Sequence, residues 1–174
     1  QGIEPSSILC CTFARKASDE LKARIHRETG VVTKALPIGT FHALANRALK
    51  KLAPSIDLEI PESILTEFQR RKIIYELKSS QPKICGKLKF EDQTPSAVLE
   101  SIDGFRERLM DPEEASIKAG ESTDDVLIAH AELYTLYDQH LTDHKLIDYA
   151  RMIQFAVKAF KVDAEGSQNY IRQF

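Results

Sequence analysis

The sequence has no tryptophan and only three cysteines, seven glycines and seven prolines among its 174 residues. The cysteines are Cys10, Cys11 and Cys85, and an odd number with two of them adjacent is a poor disulfide framework. Neighbouring residues of a strand point to opposite faces of a sheet, so Cys10 and Cys11 would also make a poor shared metal site. We therefore expect buried thiols and a reducing, cytoplasmic setting.

Motifs of self-contained enzymes are missing as well. The sequence has no G-x-x-x-x-G-K-[ST], no G-x-G-x-x-G, no G-x-S-x-G, no H-E-x-x-H and no CxxC pair. No apolar run approaches the roughly 18 residues of a membrane span. The first residues contain neither an initiator Met nor a signal-peptide pattern. We therefore expect a piece of a longer polypeptide that does not cross a membrane.

The small net charge of -2 conceals an uneven distribution. Residues 1–53 contain nine Lys and Arg against four Asp and Glu, a net charge of +5, whereas residues 54–174 contain 15 against 22, a net charge of -7. A basic front and an acidic back fit a protein that meets phosphate groups with one end. Chance clustering of solvated charges is the alternative interpretation.

The first 53 residues alternate between strand-like and helix-like patterns, which is typical of a parallel α/β fold. Because two strands are too few for a stable parallel sheet, we expect a partial α/β domain. The predicted order is a strand over residues 7–12, a helix over 16–28, extended residues 31–32 and 36–40, and a helix over 41–52.

After Pro54 the patterns predict helices only, so the fold as a whole is expected to be mainly α. Tyr134 and Tyr137 are expected to lie in a packed helix stripe. The predicted helices are 61–78, 94–110, 112–120, a long one capped by Ser122 or Thr123 and ending at 140, and 148–161, with a loop over 81–93 and a short helix or frayed end over 167–174.

Two strand-to-helix junctions hold the side chains of greatest chemical interest. The first lies within Ile8-Leu-Cys-Cys-Thr-Phe-Ala-Arg-Lys-Ala-Ser-Asp-Glu-Leu-Lys-Ala-Arg-Ile25. Amide groups at a helix start favour phosphate, and Thr12, Arg15 and Lys16 add a hydroxyl donor and positive charge there. Phe13 offers a flat face on which a base can stack.

The second junction is Ile38-Gly-Thr-Phe-His-Ala-Leu44, where Thr40 and His42 supply donors at the start of a helix. Both junctions are expected at the same edge of the parallel sheet, which is where α/β folds bind ligands. The alternative is that Phe13 and Phe41 are core residues and that the threonines are helix caps.

Two weaker candidates lie outside the junctions. His140 and His144 have the spacing of two metal ligands on one helix face, but no third ligand is identifiable, so exposed helix-end histidines are the favoured interpretation. Lys83, Lys87 and Lys89 could contact a phosphate backbone, although lysines in a polar loop are more often simply solvated.

The residues of the first junction, Ile8 to Ile25, resemble motif Ia of the UvrD/Rep/PcrA-like superfamily 1 DNA helicases, whose pattern is roughly ILxxTFTNKAAxEMxxRI. The segment from Gly39 to Leu44 resembles the family's GTFHSL. Leu133-Tyr-Thr-Leu-Tyr-Asp-Gln-His-Leu141 followed by Leu146-Ile-Asp-Tyr149 resembles Y-x-x-Y-x-x-x-L…LDFDDL. The three segments occur in the family's order and span nearly the whole chain.

The resemblance implies DNA-contacting roles for individual residues. Thr12 and Phe13 match the DNA-contacting Thr and base-stacking Phe, Lys16 matches the Lys of NKAA, and Thr40 and His42 match the Thr and His near the DNA backbone. Arg15 stands where the family has Asn and could donate to phosphate with a different geometry. Asp148 and Tyr149 match the Asp-Phe of LDFDDL, to which we assign a structural role.

By resemblance, residues 1–53 are a partial first RecA-like domain, residues 54–162 a helical insertion of the 1B type, and residues 163–174 the start of the return to the RecA-like domain. The parent is then an ATP-dependent helicase that moves 3′ to 5′ along single-stranded DNA. It would use ATP and Mg²⁺, bind single-strand and single-strand/duplex junctions, and keep its other domains in cis. Since the nucleotide-binding motifs are missing, the fragment is expected to bind no cofactor and to be inactive alone.

Two rivals remain open. A helical protein-interaction module without a DNA role would bury Phe13, and its behaviour towards DNA would not depend on salt. Alternatively, the chain could be the same region of a RecB/AddA-like helicase-nuclease, in which case the family is the same and the parent protein also contains a nuclease elsewhere.

Overall fold

A computed structural model describes residues 4–33, 36–56, 59–61, 64–86 and 88–174. These residues form two strands and eight α-helices, so the fold is mainly helical with a small parallel sheet, as the sequence predicts. The chain divides into two compact units, Gln1–Glu59 with Phe155–Phe174 and Ile60–Gln154. Within the described ranges, no helix has the length and hydrophobicity needed to cross a membrane.

The first unit contains the strand-helix-strand-helix order that the sequence predicts. Strand β1 (Cys10–Thr12) leads to helix α1 (Arg15–Thr29), and strand β2 (Ile38–Thr40) leads directly to helix α2 (Phe41–Leu52). Helix α1 ends at Gly30, whose φ of 71° is the left-handed conformation that glycine adopts without a Cβ clash. The two strands pair in parallel.

Apolar side chains of α2 and of the C-terminal residues form the interior of this unit. Helix α8 spans Ala164–Ile171, and its Tyr170 stacks edge-on against Phe160 and Phe174. Asp163 caps α8 by accepting from the N–H of Gly166 at 2.7 Å. The buried apolar residues of the unit are Ile38, Ala48, Leu49, Leu52, Ala53, Ala156, Ala159 and Tyr170.

The second unit is built from α3 (Glu67–Ser80), α4 (Pro95–Glu107), α5 (Pro112–Gly120), α6 (Asp125–Asp143) and the first part of α7 (Tyr149–Val162). Its interior is one cluster that includes Ile74, Ile102 and Leu133. Tyr134 and Tyr137 are fully buried, which confirms the predicted stripe. Burial of large apolar and aromatic side chains is the main force that stabilises such a helical unit.

Local hydrogen bonding explains two wrong helix boundaries. The helix predicted from residue 61 begins at Glu67, because Thr66 and Gln69 form a capping box and Ile64 is extended beside Ile147. The long helix is capped by Asp124, whose carboxylate accepts from the N–H groups of Val126 and Leu127, and not by Ser122 or Thr123.

The expectation of three buried thiols is also wrong in part. Cys85 is buried in the core of the second unit, whereas Cys10 is half-buried and Cys11 is exposed. Alternation along β1 places Cys11 on the opposite side of the strand from its two neighbours. All three cysteines are free thiols.

Candidate nucleic-acid interface

The two strand-to-helix junctions lie side by side at one edge of the sheet. In the parallel register Cys10 pairs with Ile38, Cys11 with Gly39, and Thr12 with Thr40. Because parallel strands end at the same edge, the starts of α1 and α2 follow from neighbouring positions. The predicted juxtaposition is therefore confirmed.

Phe13 follows β1 directly, and its side chain is 100% exposed. Phe41, at the matching place after β2, is 57% exposed and meets the His42 ring edge-on at 6.2 Å between centroids. The interpretation of both phenylalanines as core residues is therefore wrong. An aromatic face that is fully open to solvent is available for stacking with a planar ligand group.

The hydroxyl groups of both threonines form hydrogen bonds with the backbone of this unit. The Thr12 hydroxyl donates to the backbone oxygen of Ala14 at 3.2 Å, with Gly39 O at 3.5 Å. Thr40 Oγ1 accepts from the N–H of Ala43 at 3.3 Å and so caps α2. The interpretation of Thr40 as a helix cap is confirmed, and a Thr12 bond to an external phosphate would require its hydroxyl to rotate.

The start of α1 differs from the start of α2. Ala14 occupies the N-cap position, no side chain accepts from the first N–H groups, and the first turn contains no acidic residue. Instead Arg15 and Lys16 occupy that turn, which is unfavourable next to the positive end of the helix dipole. Lys16 is 89% exposed and lies 3.9 Å from Glu20, whereas Arg15 forms no ion pair with another described residue. Uncapped amides and two cations in the first turn give this helix start a positive character that is suited to an anion.

A buried ion network lies in the second unit, and Asp148 is its centre. Arg106 donates from Nη1 to both carboxylate oxygens of Asp148, at 2.9 and 2.7 Å. The Tyr137 hydroxyl and the N–H of Arg151 each donate to the same carboxylate at 2.8 Å. The bond from Arg151 caps α7, so Asp148 has the structural role that we assigned to it.

Charges are balanced inside this network. Burial alone would raise the pKa of Asp148, but Arg106 and Arg70 hold it below its ordinary value. Burial and the neighbouring Asp148 raise the pKa of the Tyr137 hydroxyl, which therefore stays protonated and donates. The Arg106 guanidinium also lies over the rings of Tyr134 and Tyr137, at 5.2 and 5.5 Å from their centroids.

The buried arginines of the network were not predicted from the sequence. Arg70 on α3 donates to both oxygens of Asp103, and Arg151 donates to Asp138 at 3.1 Å. An arginine on a predicted helix is usually solvated, and only its place on the apolar face could have indicated burial. Arg106 follows the buried Ile102 and Phe105 at helical spacing, and this was the available signal.

The two weaker candidates have different surroundings. The rings of His140 and His144 stack with centroids 4.1 Å apart, and the described residues contain no group of three or more His, Cys, Asp or Glu arranged to hold a metal ion. Lys83 and Lys89 are exposed in the loop after α3, while Lys87 lies outside the described residues.

The chain is similar in sequence to known DNA helicases. The sequence pattern of the UvrD/REP helicase N-terminal domain matches residues 1–174. An ATP-dependent DNA helicase PcrA from Bacillus subtilis (strain 168) is 28% identical over 175 residues, covering 99% of this chain and 22% of the relative. A probable DNA helicase II homolog from Mycoplasma capricolum is 30% identical over 168 residues, 95% of this chain and 22% of the relative. The chain thus spans about a fifth of the length of the curated relatives it matches.

Proposed function

Because the chain belongs to the UvrD/REP helicase family, we propose that it supplies part of the single-stranded DNA path of an ATP-dependent DNA helicase. One observation supports this most strongly. A fully exposed Phe13 lies between the end of β1 and a helix start that has no cap and two cations. Stacking and phosphate binding are the two interactions that hold single-stranded DNA, and the four residues from Phe13 to Lys16 can supply both.

The path is proposed to run across both junctions. Phosphate groups lie at the start of α1, near Arg15 and Lys16, and at the start of α2, near Thr40 and His42. A base stacks on Phe13. The pairing of Thr12 with Thr40 supports this path, because it holds the two helix starts on adjacent strands.

Arg15 is proposed to take over the contact that the family makes through Asn. Its guanidinium carries a permanent charge and several donors, so it can bind phosphate oxygens in pairs. This contact would depend more strongly on salt than an amide contact would.

In the parent, residues 1–53 are proposed to belong to the first RecA-like domain, residues 54–162 to a helical insertion of the 1B type, and residues 163–174 to the return into the RecA-like domain. ATP and Mg²⁺ would bind to other parts of the polypeptide, and translocation would be 3′ to 5′. The exposed Ile8, Leu9 and Val32 of the first unit support such a setting, since further elements of the parent would cover them. Alone, this chain is proposed to bind DNA weakly and not to hydrolyse ATP.

The rival proposal, an interaction module without a DNA role, expects a buried Phe13. The full exposure of that side chain argues against it. A protein-binding role would also not explain the two cations in the uncapped first turn of α1.

Fluorescence anisotropy of a labelled oligothymidine at two salt concentrations tests the proposal. Phe13→Ala is expected to weaken binding about tenfold through lost stacking. The matched control is Phe68→Ala on α3, where the side chain is 77% exposed but belongs to the other unit. Its affinity is expected to equal that of the unchanged chain. Equal losses in both variants, or binding that does not respond to salt, would contradict the proposed path.

A further inference from the structure

Helix α3 presents two aromatic side chains to solvent on one side. Phe68 is 77% exposed and Tyr75 is 65% exposed, whereas Ile73 and Ile74 on the other side are buried in the core. Because Phe68 and Tyr75 are about two helical turns apart, their rings lie along one line of the helix surface. Large aromatic side chains that are exposed together are more common in protein interfaces than on the rest of a protein surface.

A groove between α3 and α4 borders the same side of α3. Its volume is about 520 Å³. Arg71 lines this groove and is one turn from each of the two rings, so the rings lie along its α3 edge. Helix α3 also contributes Glu67 to the lining, and the residues that α4 contributes include Glu100, Gly104 and Glu107.

Gly104 keeps the groove open. It lies inside α4, where a glycine is less favourable than any other residue except proline. A Cβ at this position would approach only the tip of the Arg108 side chain among the described residues, at 3.9 Å from Nη1. The packing of this unit therefore does not require a glycine here, and the missing side chain leaves space for a side chain of a partner.

The charges of the groove favour a cationic partner. On the α3 side, Arg71 Nε lies 3.2 Å from a Glu67 carboxylate oxygen, so these two charges neutralise each other. On the α4 side, Glu100 and Glu107 are exposed, and neither forms an ion pair with another described residue. These two carboxylates are about two turns apart and therefore form a row along α4. Such a row repels phosphate groups and attracts the side chains of Lys and Arg.

We propose that the α3–α4 face, defined by Phe68, Tyr75, Glu100, Gly104 and Glu107, binds an amphipathic helix of another protein. Apolar side chains of that helix pack on the two rings and over Gly104, and its Lys and Arg side chains pair with the two glutamates. A face that combines free charges with aromatic rings fits a partner that associates and dissociates, because permanent interfaces are more apolar. The α3–α4 face belongs to the second unit and is independent of the proposed DNA path in the first unit.

Fluorescence anisotropy of a labelled synthetic peptide, added to the whole chain, tests the proposal. The peptide has about 18 residues, roughly 27 Å as a helix, with leucines along one side and Lys and Arg on both flanks. Phe68→Ala and Tyr75→Ala are each expected to weaken its binding about tenfold. The matched control is Phe13→Ala in the first unit, where the side chain is also exposed. This variant should bind the peptide as the unchanged chain does, whatever its affinity for DNA.

Two double substitutions test the charges. Glu100→Gln with Glu107→Gln should weaken peptide binding about tenfold, because both free carboxylates of the face are lost. The control, Glu113→Gln with Glu121→Gln, changes the net charge equally at two exposed positions on or next to α5. It should weaken binding by less than about twofold, since salt screens exposed charges that do not contact the peptide.

Gly104→Gln tests the groove itself. The longer side chain fills the space above α4, and glutamine favours a helix more than glycine does. Peptide binding should therefore fall at least about tenfold while the urea midpoint of unfolding rises, so the loss of binding would not come from unfolding.

The proposal is overturned if the peptide does not bind, if both pairs of glutamate substitutions weaken binding equally, or if Gly104→Gln binds as tightly as the unchanged chain. Sedimentation of the chain alone tests a second copy as the occupant. A dimer that dissociates in Phe68→Ala would assign the α3–α4 face to that second copy and would also overturn the proposal.

Discussion

At the scale of single residues, Asp148 shows how one carboxylate can organise a helical unit. It is fully buried, it accepts from Arg106, Tyr137 and the backbone of Arg151, and its partners come from different helices. A buried charge is tolerated only when its partners replace the water that it has lost. Removing the charge therefore leaves Arg106 buried with its main counter-charge missing.

Asp148→Asn is expected to lower the free energy of unfolding by about 3–5 kcal/mol, the range found when one member of a buried ion pair is removed. Urea unfolding followed by circular dichroism measures this change. The matched control is Glu76→Gln, which breaks the exposed pair with Lys72 and is expected to change stability by less than about 1 kcal/mol. A loss in Asp148→Asn no larger than that of the control would show that the network does not stabilise the unit.

At the scale of elements, the helices differ in whether a side chain caps their first turn. The helix without such a cap is the candidate for binding phosphate. Helices α2 to α6 and α8 each begin with a side-chain cap, and Asp148 caps α7. Helix α1 has Ala14 at that position. Giving up a cap costs about 1 kcal/mol, which a phosphate ligand can restore.

A capping residue introduced at the start of α1 should raise the free energy of unfolding and lower the affinity for single-stranded DNA. Ala14→Asp is expected to stabilise the chain by about 0.5–2 kcal/mol, because a carboxylate there accepts from the free N–H groups. The same carboxylate would occupy the N–H groups that bind phosphate and would repel the phosphate group, so single-stranded DNA should bind less tightly. Ala14→Ser serves as the control, with a similar cap but no charge and a smaller loss of affinity. Urea unfolding and fluorescence anisotropy on the same samples measure the two effects. If Ala14→Asp bound DNA as tightly as the unchanged chain, phosphate would not bind at the start of α1.

The last turn of α6 is expected to respond to pH. Burial, reinforced by the stacked His144, lowers the pKa of His140. The unfolded chain then binds a proton more readily than the folded one, so the free energy of unfolding should fall as pH drops below about 6.5, the ordinary histidine value. Urea midpoints between pH 7.5 and 5.5 measure the slope, which should be shallower in His140→Gln. An unchanged slope in that variant would assign the pH dependence to other groups.

Helical periodicity was enough to predict α2 and α5, and the parallel α/β order placed both junctions correctly. The start of α3 was missed although Thr66 and Gln69 match the S/T-x-x-E/Q pattern of a capping box. The bridge between Ile64 and Ile147 could not be predicted, because it joins residues that are remote in sequence. Burial of Arg106 and Arg70 depends in the same way on Asp148 and Asp103, which approach them only after the helices pack. Exposure of Phe13 was left undecided by spacing alone, since a Phe at the end of a strand fits a core as well as a surface.

At the scale of the whole molecule, charge is distributed unevenly. Residues 1–53 have a net charge of +5 and residues 54–174 a net charge of -7. The basic part contains Phe13 and the start of α1. Binding to DNA should therefore be weak, local and sensitive to salt, because most of the surface repels phosphate.

Amide chemical shifts of the ¹⁵N-labelled chain, recorded during titration with oligothymidine at low salt, test the central claim most directly. We expect the largest changes at residues 12–17 and 40–43, where the two strands lead into the two helices, and we expect these changes to decrease as salt is added. Binding that shifts amides elsewhere and leaves both junctions unchanged would contradict a DNA path across this edge of the sheet.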